Sequence, residues 1–498
     1  MPSERKGLKA LEIWKGEVDL TTGNLFWKII LFTLPVMISS LLQLLYTTAD
    51  LFVVGHYGGG TYPMAGVGNN GSLINLMVNT FVAVSVGANV VVARYKGEQN
   101  KEKAIQAMDA GMLIAVILGV VVAVGGYFLA DPVLVAMGTK TEIMPYASVY
   151  LKVYFIGLPF LMIFNFGSAI LRALGDSKRP LVALFACGVL NVGLNFLFVL
   201  GFKMNTGTNG VLAVALTTVI SEFLEAALTL VFLMDKHYGF VRMSLKHFDL
   251  SWSEMGQVLR NGIPAGIETL IFSVSNVVIQ AAANKFLTAS AVAGNTASDN
   301  LEGYIFVVLE AFAVAVSSVS AQNYGANKKE NLRKTLLYSF SIITVLGILM
   351  GGIAALCRVP LIELLVEDSS DASFSRAEAI DTGASRLLMM GLTYVFCAIM
   401  DAYSGYLRGL GHWLAPTIVT FVCACLFRLF YVFVLVYNIP YMQNVLWLYA
   451  AYPLCWALAS FIYTAFVPHL QKKAYQEIDA RLALAPSEPV HERETQAL

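Results

Sequence analysis

Twelve stretches of the 498-residue chain are apolar over bilayer-spanning lengths, and nothing else in the sequence limits the fold as tightly. A helix rises about 1.5 Å per residue, so a hydrocarbon core about 30 Å thick takes about 20 residues. The runs lie at 28–54, 65–92, 104–129, 146–171, 180–202 and 209–234, then at 258–286, 291–320, 333–357, 383–407, 414–437 and 443–467. Short loops separate them, which predicts an antiparallel helical bundle with little soluble mass. Hydrophobic residues make up 57% of the chain and charged residues 13%, about half the charged share of an ordinary soluble domain. The 33 basic and 33 acidic residues cancel, leaving no net field to draw nucleic acid. Disorder, a secreted disulfide scaffold and a soluble enzyme are excluded. The fold class is an all-α integral membrane protein.

Lysine and arginine set the orientation of such a bundle. Placing the N-terminus in the cytoplasm puts Arg5, Lys6, Lys9 and Lys15 there, with Arg94, Lys96, Arg172, Lys178, Arg242, Lys328, Arg408 and Lys472. The opposite loops then hold Lys140, Lys203, Lys285, Arg358, Arg376 and Arg386. Both termini are therefore expected in the cytoplasm, in the cell membrane. The expected organisation is a cytoplasmic segment 1–24, a six-helix lobe 25–235, a linker 236–257, a second six-helix lobe 258–468 and a disordered cytoplasmic tail 469–498. Residues 1–20 lack the apolar core of a cleavable signal. The six cysteines lie in or beside apolar runs with no CxxC pair and read as small buried hydrophobes.

The two halves repeat. Asp19-Leu20-Thr21 precedes the first span as Asp249-Leu250-Ser251 precedes the seventh, and Pro35 matches Pro264. Ala93-Arg94-Tyr95-Lys96-Gly97 matches Ala321-Gln322-Asn323-Tyr324-Gly325. Leu171-Arg172-Ala173-Leu174-Gly175 matches Leu407-Arg408-Gly409-Leu410-Gly411. Six spans is an even number, so both halves start on the same side. The lobes are then related by a pseudo-two-fold axis along the membrane normal, an arrangement suited to alternating access.

An ionisable group inside a span costs about 2.5–3.5 kcal/mol and calls for a partner or a role. Asp50 lies near the far end of the first span. Asn191 and Asn195 share a face of the fifth, and Thr217 and Thr218 lie in the sixth. One carboxylate with amide and hydroxyl oxygens can hold a hard monovalent cation or a proton; it can equally cap a helix end beside interhelical amide bonds. The second half carries Glu268, Glu310, Asp401 and Arg428. These read either as a structural pair of Arg428 with Asp401 or Glu310, or as an acidic cavity wall attractive to organic cations. Glu222, Glu225 and Lys152 read as solvated near helix ends. Ser72, Asn75 and Asn79 form a polar stripe on the second span. Tyr394, Tyr403, Tyr406, Phe427 and Tyr431 face lipid or line an apolar cavity. Pro35 is a candidate hinge, because a bend there re-aims Asp50. No phosphate loop, nucleophile elbow or HExxH occurs, so the chain is not read as an enzyme and an ion gradient is the expected energy source.

With Pro35 through Asp50-Leu51-Phe52-Val53-Val54-Gly55, Ala65-Gly66-Val67-Gly68-Asn69, the two Leu-Arg repeats, Gly262-Ile263-Pro264-Ala265-Gly266 and Met400-Asp401-Ala402, residues 20 to 468 resemble the multidrug and toxic compound extrusion family. The resemblance implies export of a cytosolic drug or organic cation in exchange for Na⁺ or H⁺, with no other cofactor. It maps a first-lobe cation site onto Asp50, Asn191, Asn195 and Thr217 or Thr218, with Na⁺ possible at Asp50, Asn191 and Asn195. Asn195 departs from the family pattern, being an amide where many members have a carboxylate. It also maps a second-lobe carboxylate onto Asp401, with Glu268 and Glu310 where many relatives carry amides. The expected partners are cationic amphiphilic small molecules and the bilayer, with no nucleic acid, and the protein is expected to be monomeric. A lipid-linked precursor flippase of the same superfamily is the alternative.

Overall fold

The computed structural model describes residues 17–58, 61–235, 240–244, 246, 248–366 and 374–484, the side chains of 61, 69, 72, 73 and 75–77 excepted. Twelve of its helices are long and apolar enough to cross a membrane. They are α1 (Leu25–Tyr57), α2 (Thr61–Ala83 followed by Ser85–Gly97), α3 (Lys101–Ala136), α4 (Met144–Ala173), α5 (Lys178–Gly201) and α6 (Gly207–Leu233). The second six are α7 (Trp252–Phe286), α8 (Ala289–Gly325), α9 (Lys329–Leu356), α10 (Arg376–Gly409), α11 (Leu414–Val436) and α12 (Val445–Leu484). Large apolar side chains such as Val121, Phe128, Ile348 and Phe430 stay exposed along the outer faces, as they must where the solvent is lipid.

Both halves are packed alike. In the first, α4 is the hub for α2, α3 and α6, while α1 packs on α5; in the second, α10 is the hub for α8, α9 and α12, while α7 packs on α11. The repeated motifs are helix stops. Gly175 (φ 83°) and Gly411 (φ 81°) occupy the left-handed region that ends α4 and α10. Gly175 N–H donates to Arg172 O and Asp176 N–H to Leu171 O, both at 2.9 Å; Gly411 and His412 make the matching bonds to Arg408 and Leu407. That geometry admits glycine at the stop far more readily than any other residue. Gln99 and Asn327 likewise share φ 56° in the loops after α2 and α8. A π-helical turn, Leu197–Gly201, ends α5, and another, Tyr431–Val436, ends α11. The halves thus repeat in backbone detail down to single residues.

The lobes touch at the face that carries the start of α1 and the end of α12. A Cβ on Gly97 would stand 2.0 Å from Gln322 O, and a Cβ on Gly325 would stand 2.0 Å from Arg94 O. These two contacts exchange under the repeat, so the pseudo-two-fold axis passes between them. Asn89 Oδ1, on the same seam, accepts from Ser318 at 2.9 Å. Gly87 packs on Val258 O and Gly262 of α7, which closes the seam further. In the other half of the bundle the Thr48 and Tyr304 hydroxyls share a cross-lobe bond of 3.1 Å. The structure is closed at the termini-bearing face.

Two features extend past the expected boundaries. Residues 17–24 strap the lobes together: Val18 N–H donates to Gly175 O at 3.0 Å, while Asn323 donates to Leu20 O and Lys328 and Asn331 donate to Thr21 O. Asp19 closes that turn. Burial works to raise its pKa, but hydrogen bonds from Thr22 and Thr21 outweigh this and bring it to about 2. The expectation of a disordered tail from 469 is corrected for residues 469–484, which continue α12 as helix; 485–498 lie outside the described residues. Ala474 and Ile478 are buried, Tyr324 donates to Glu477 at 2.6 Å, and Arg481 reaches Glu98 of the first lobe at 3.3 Å. Those contacts supply what the charge-rich sequence lacks in apolar run length.

Candidate functional site

The first-lobe residues singled out in the sequence come together. Asp50 sits about two turns before the end of α1, and Asn191 and Asn195 project from one face of α5 just before its π-helical turn. Thr217 and Thr218 lie side by side on α6, and both hydroxyls are anchored to Val214 O, at 2.8 and 2.9 Å. Asn195 Nδ2 donates to Asp50 Oδ1 at 2.7 Å and to Asn191 Oδ1 at 3.2 Å. Thr218 donates to Asp50 Oδ2 at 3.0 Å, and Thr217 donates to Asn195 Oδ1. Asp50 is 5% exposed and Asn195 fully buried. No basic side chain pairs with Asp50 among the described residues.

Glycines bring the three helices this close. A Cβ on Gly188 of α5 would collide with the Tyr46 ring at 1.7 Å, and one on Gly210 of α6 with Gly58 O at 2.0 Å. Tyr46 uses the approach to donate to Leu184 O at 3.1 Å. Tyr150 and Tyr154 of α4 stack at 6.1 Å beside the cluster. Glu222 and Glu225, expected to be solvated, are instead buried below Thr218 on α6. The correction has a steric cause: Gly157 of α4 leaves room for Glu222 Oε2, where a Cβ would stand 2.3 Å away. Lys152 pairs with Asp131 at 2.5 Å and keeps partial solvent exposure.

Pro35 lies within α1, which continues as helix through it, and Ser39 donates to Pro35 O at 2.8 Å. Its position is informative. Leu25, Ile29, Phe32 and Val36 belong to the second lobe's apolar core, whereas Val53 and Val54 belong to the first lobe's. Helix α1 therefore crosses from one lobe to the other around Pro35.

The second-lobe acids also converge, though on a different base. Arg408 donates to Glu268 Oε2 at 2.7 Å, and Thr420 donates to Glu268 Oε1 at 3.2 Å. Glu310 and Asp401 lie within electrostatic reach of that pair and of one another. Glu310 is exposed although α8 is mostly buried. Arg428, expected beside Asp401 or Glu310, pairs with neither. Its Nη1 donates to Asn276 at 2.9 Å and its Nε to Cys455 Sγ at 3.1 Å, because it points from α11 toward α7 and α12. Arg408 and Arg386, counted in the sequence as loop charges, are the bases that hold the second-lobe acids.

Arg386 is the residue the sequence reading missed most completely. It is 2% exposed and donates to Glu302 at 2.8 Å through both Nε and Nη2, to Asp299 at 2.6 Å and to Asn295. A signal was present, since Asn295, Asp299 and Glu302 are spaced to share one face of α8 and two acids so placed demand a base. The tyrosines expected at lipid or cavity are also corrected. Tyr394, Tyr403, Tyr406 and Tyr431 are buried in the second-lobe core, where Tyr394 stacks on Trp456 at 5.5 Å. Of the polar stripe on α2, Ser72 and Asn75 lie outside the described side chains.

The MatE family profile matches residues 35–197 and 264–434, one segment in each lobe. A protein of Thermotoga maritima described as probable multidrug resistance protein NorM is 27% identical over 410 residues, covering 82% of this chain and 85% of its own. A protein of Shewanella oneidensis described as an FAD transporter is 24% identical over 339 residues, covering 68% and 73%. Among solved structures, the outward-facing conformation of a multidrug resistance MATE family transporter superposes with a TM-score of 0.82 at 22% identity, covering 94% of this chain and 99% of that one. Two repeated six-helix lobes, twelve membrane helices and a family match over both halves lead to one assignment: this chain belongs to the MatE family of membrane transporters.

Proposed function

We propose that the protein is a secondary antiporter that exports small amphiphilic molecules, organic cations among them, by alternating access of its two lobes. The observation that carries this is Asp50. A carboxyl group is buried without a basic partner among the described residues, on a helix that packs on both lobes. Neutralising it by a proton or cation changes how α1 sits on α5 and α6, and Pro35 is where α1 can bend. The lysine and arginine bias supports a cytoplasmic position for the termini-bearing face, so the described state is closed toward the cytoplasm on this reading.

The donor arrangement favours H⁺ over Na⁺ at this site. Asn195 turns its amide N–H toward Asp50 and gives its oxygen to Thr217, so only one formal charge and few free oxygens are offered. A sodium ion there requires Asn195 to turn over and break both bonds. A lipid-linked precursor flippase is disfavoured by the exclusively acidic first-lobe cluster.

Energetics give the second lobe a task. A membrane potential of 100 mV supplies about 2.3 kcal/mol per charge and a tenfold ion gradient about 1.4 kcal/mol. Together these allow about 500-fold accumulation of a neutral cargo per ion. For a monovalent cationic cargo exchanged one for one the potential cancels, leaving about tenfold. Export of cations then calls for a second ion. Asp401 and Glu310 are the acids available for it, Glu268 being engaged by Arg408.

The test is efflux of a cationic dye from proteoliposomes with pH and sodium gradients imposed separately. A pH gradient alone should drive it, and Asp50→Asn should abolish it. Undiminished gradient-driven efflux in Asp50→Asn rules the assignment out.

A further inference from the structure

Among the described residues of the second lobe the guanidinium groups of Arg386 and Arg428 are buried and that of Arg408 is mostly so, and two of the three have their charge met. Arg386 holds Asp299 and Glu302, and Arg408 holds Glu268. Arg428 holds no carboxylate among the described residues, although it is 1% exposed and lies far from either end of α11. Its Nη1 has a neutral amide, its Nε a thiol sulfur, and its Nη2 is buried with no hydrogen-bond partner. The guanidinium faces two rings, Phe272 at 4.7 Å and Tyr452 at 4.4 Å, and Arg386 stands 5.7 Å from the same Tyr452.

Cation–π contacts offset only part of the cost of burying such an ion, and a lone buried charge is strongly disfavoured. Two aromatic rings, an amide and a thiol surround the Arg428 guanidinium. Phe272 stacks on Phe306 at 5.9 Å, and both, with Tyr452 and Asn276, are only half-buried and so reach the surface of the lobe. The backbone also departs from α-helical bonding on both sides of Arg428, with π-helical turns over Phe421–Phe427 and Tyr431–Val436. Such turns are enriched at functional sites because they re-aim a side chain.

We propose that Arg428 is a recognition site for the carboxylate of an aromatic substrate, whose ring body stacks on Phe272, Phe306 and Tyr452. The site rests on the exporter reading for its cargo, and it extends the cargo from organic cations to aromatic zwitterions and acids. A carboxylate meets the free Nη2 and completes the charge that the fold leaves open.

Two xanthylium dyes that differ only in a free carboxylate or its ethyl ester test this by equilibrium binding to the full chain in nanodiscs. The wild type should bind the acid at least about tenfold more tightly than the ester, as a charge-assisted hydrogen bond implies. Arg428→Met should erase that preference, so that acid and ester bind within about twofold of one another. A wild type without the preference, or an ester-binding Arg428→Met that retains it, overturns the proposal. Should Arg428→Met fail to fold, the wild type decides alone: benzoate displacing the acid but not the ester supports the site, and any other displacement pattern overturns it. Ion-driven efflux of the ester, lost in Asp50→Asn, reports separately on the antiport. Its failure with the acid preference intact removes the antiport and leaves the site.

Discussion

Substituting Gly325 by alanine tests whether the seam between α2 and α8 is the closing contact of a two-state machine. The new Cβ would stand 2.0 Å from Arg94 O, a backbone atom that no rotamer change can move, and ordinary contact begins at 3.4 Å. The helices must therefore part by about 1.4 Å. Overpacking of this kind costs about 1–3 kcal/mol, and the penalty falls only on the state in which the helices touch. Taking about 2 kcal/mol, the ratio of closed to open shifts about 30-fold toward opening at the termini-bearing face. Single-molecule energy transfer between dyes on Lys101→Cys and Lys334→Cys, with exposed Cys357 replaced by serine, would read the shift as growth of a long-distance population. Gly97→Ala, whose Cβ meets Gln322 O at the same 2.0 Å, should reproduce it. The double variant should add little, because parting the helices for one clash relieves the other. An unchanged distance distribution beside a lowered melting temperature would show that the seam only stabilises the fold, and full additivity would show that the two glycines do not share one interface.

Three further outcomes follow from the same geometry. Asn195→Asp sets a second carboxylate against Asp50, so Na⁺ should raise the melting temperature of that variant and leave the wild type unmoved; equal sodium responses contradict the proton reading of this site. Glu268→Gln should destabilise by about 3 kcal/mol because it strands Arg408 in a mostly buried position, and adding Arg408→Met should recover much of the loss, which a double-mutant cycle of thermal unfolding would measure. Removing residues 471–484 should shift the lobes toward opening at the termini-bearing face more than Glu98→Gln does, since the partly exposed Arg481–Glu98 pair alone contributes about 1 kcal/mol while the deletion also strips Ala474 and Ile478 from the core. The energy-transfer pair above reads both, and equal shifts would assign the clasp to the ion pair.

Much of this architecture is legible in the sequence because bilayer length and repeat spacing are one-dimensional signals. Twelve runs, an even number per half and matched glycines lead directly to two parallel lobes. The Asp50 cluster was legible for a similar reason: the four-residue spacing of Asn191 and Asn195 and the adjacent threonines assign them to helix faces, and depth along the helix matches them in height. Depth says nothing about direction around the axis, and the errors are of that kind. Arg428 lies at the right depth for Asp401 but on a face turned to Asn276 and Cys455. Arg408 ends α10 in a loop-like motif yet folds back onto Glu268. Glu222 and Glu225 look solvated, yet both are buried, Glu222 in the slot that Gly157 opens on α4. Beyond residue 469 the helix persists on tertiary contacts that no hydropathy window registers.

The backbone symmetry and the charge asymmetry have different consequences. Gly97 with Gly325, Gly175 with Gly411 and the π-helical ends of α5 and α11 repeat between the lobes, and the first pair does so at the seam where the lobes meet. Their polar interiors are not equivalent. The first lobe buries Asp50, Glu222 and Glu225 with no basic side chain paired to any of them among the described residues, so its charge state depends on what binds there. The second lobe counters Asp299, Glu302 and Glu268 with Arg386 and Arg408, leaves Asp401 and Glu310 without an ion-paired base among the described residues, and carries on Arg428 a positive charge with no carboxylate beside it. On the antiporter reading, a first lobe whose Asp50 cluster holds no base and a second lobe whose acids are partly held by arginines divide the work unequally, with the main ion step in the first and cargo discrimination, beside any second ion, in the second. If that division holds, substitutions at Asp50 alter coupling for every cargo alike, whereas substitutions at Arg428 reorder the cargoes without altering the ion that drives them.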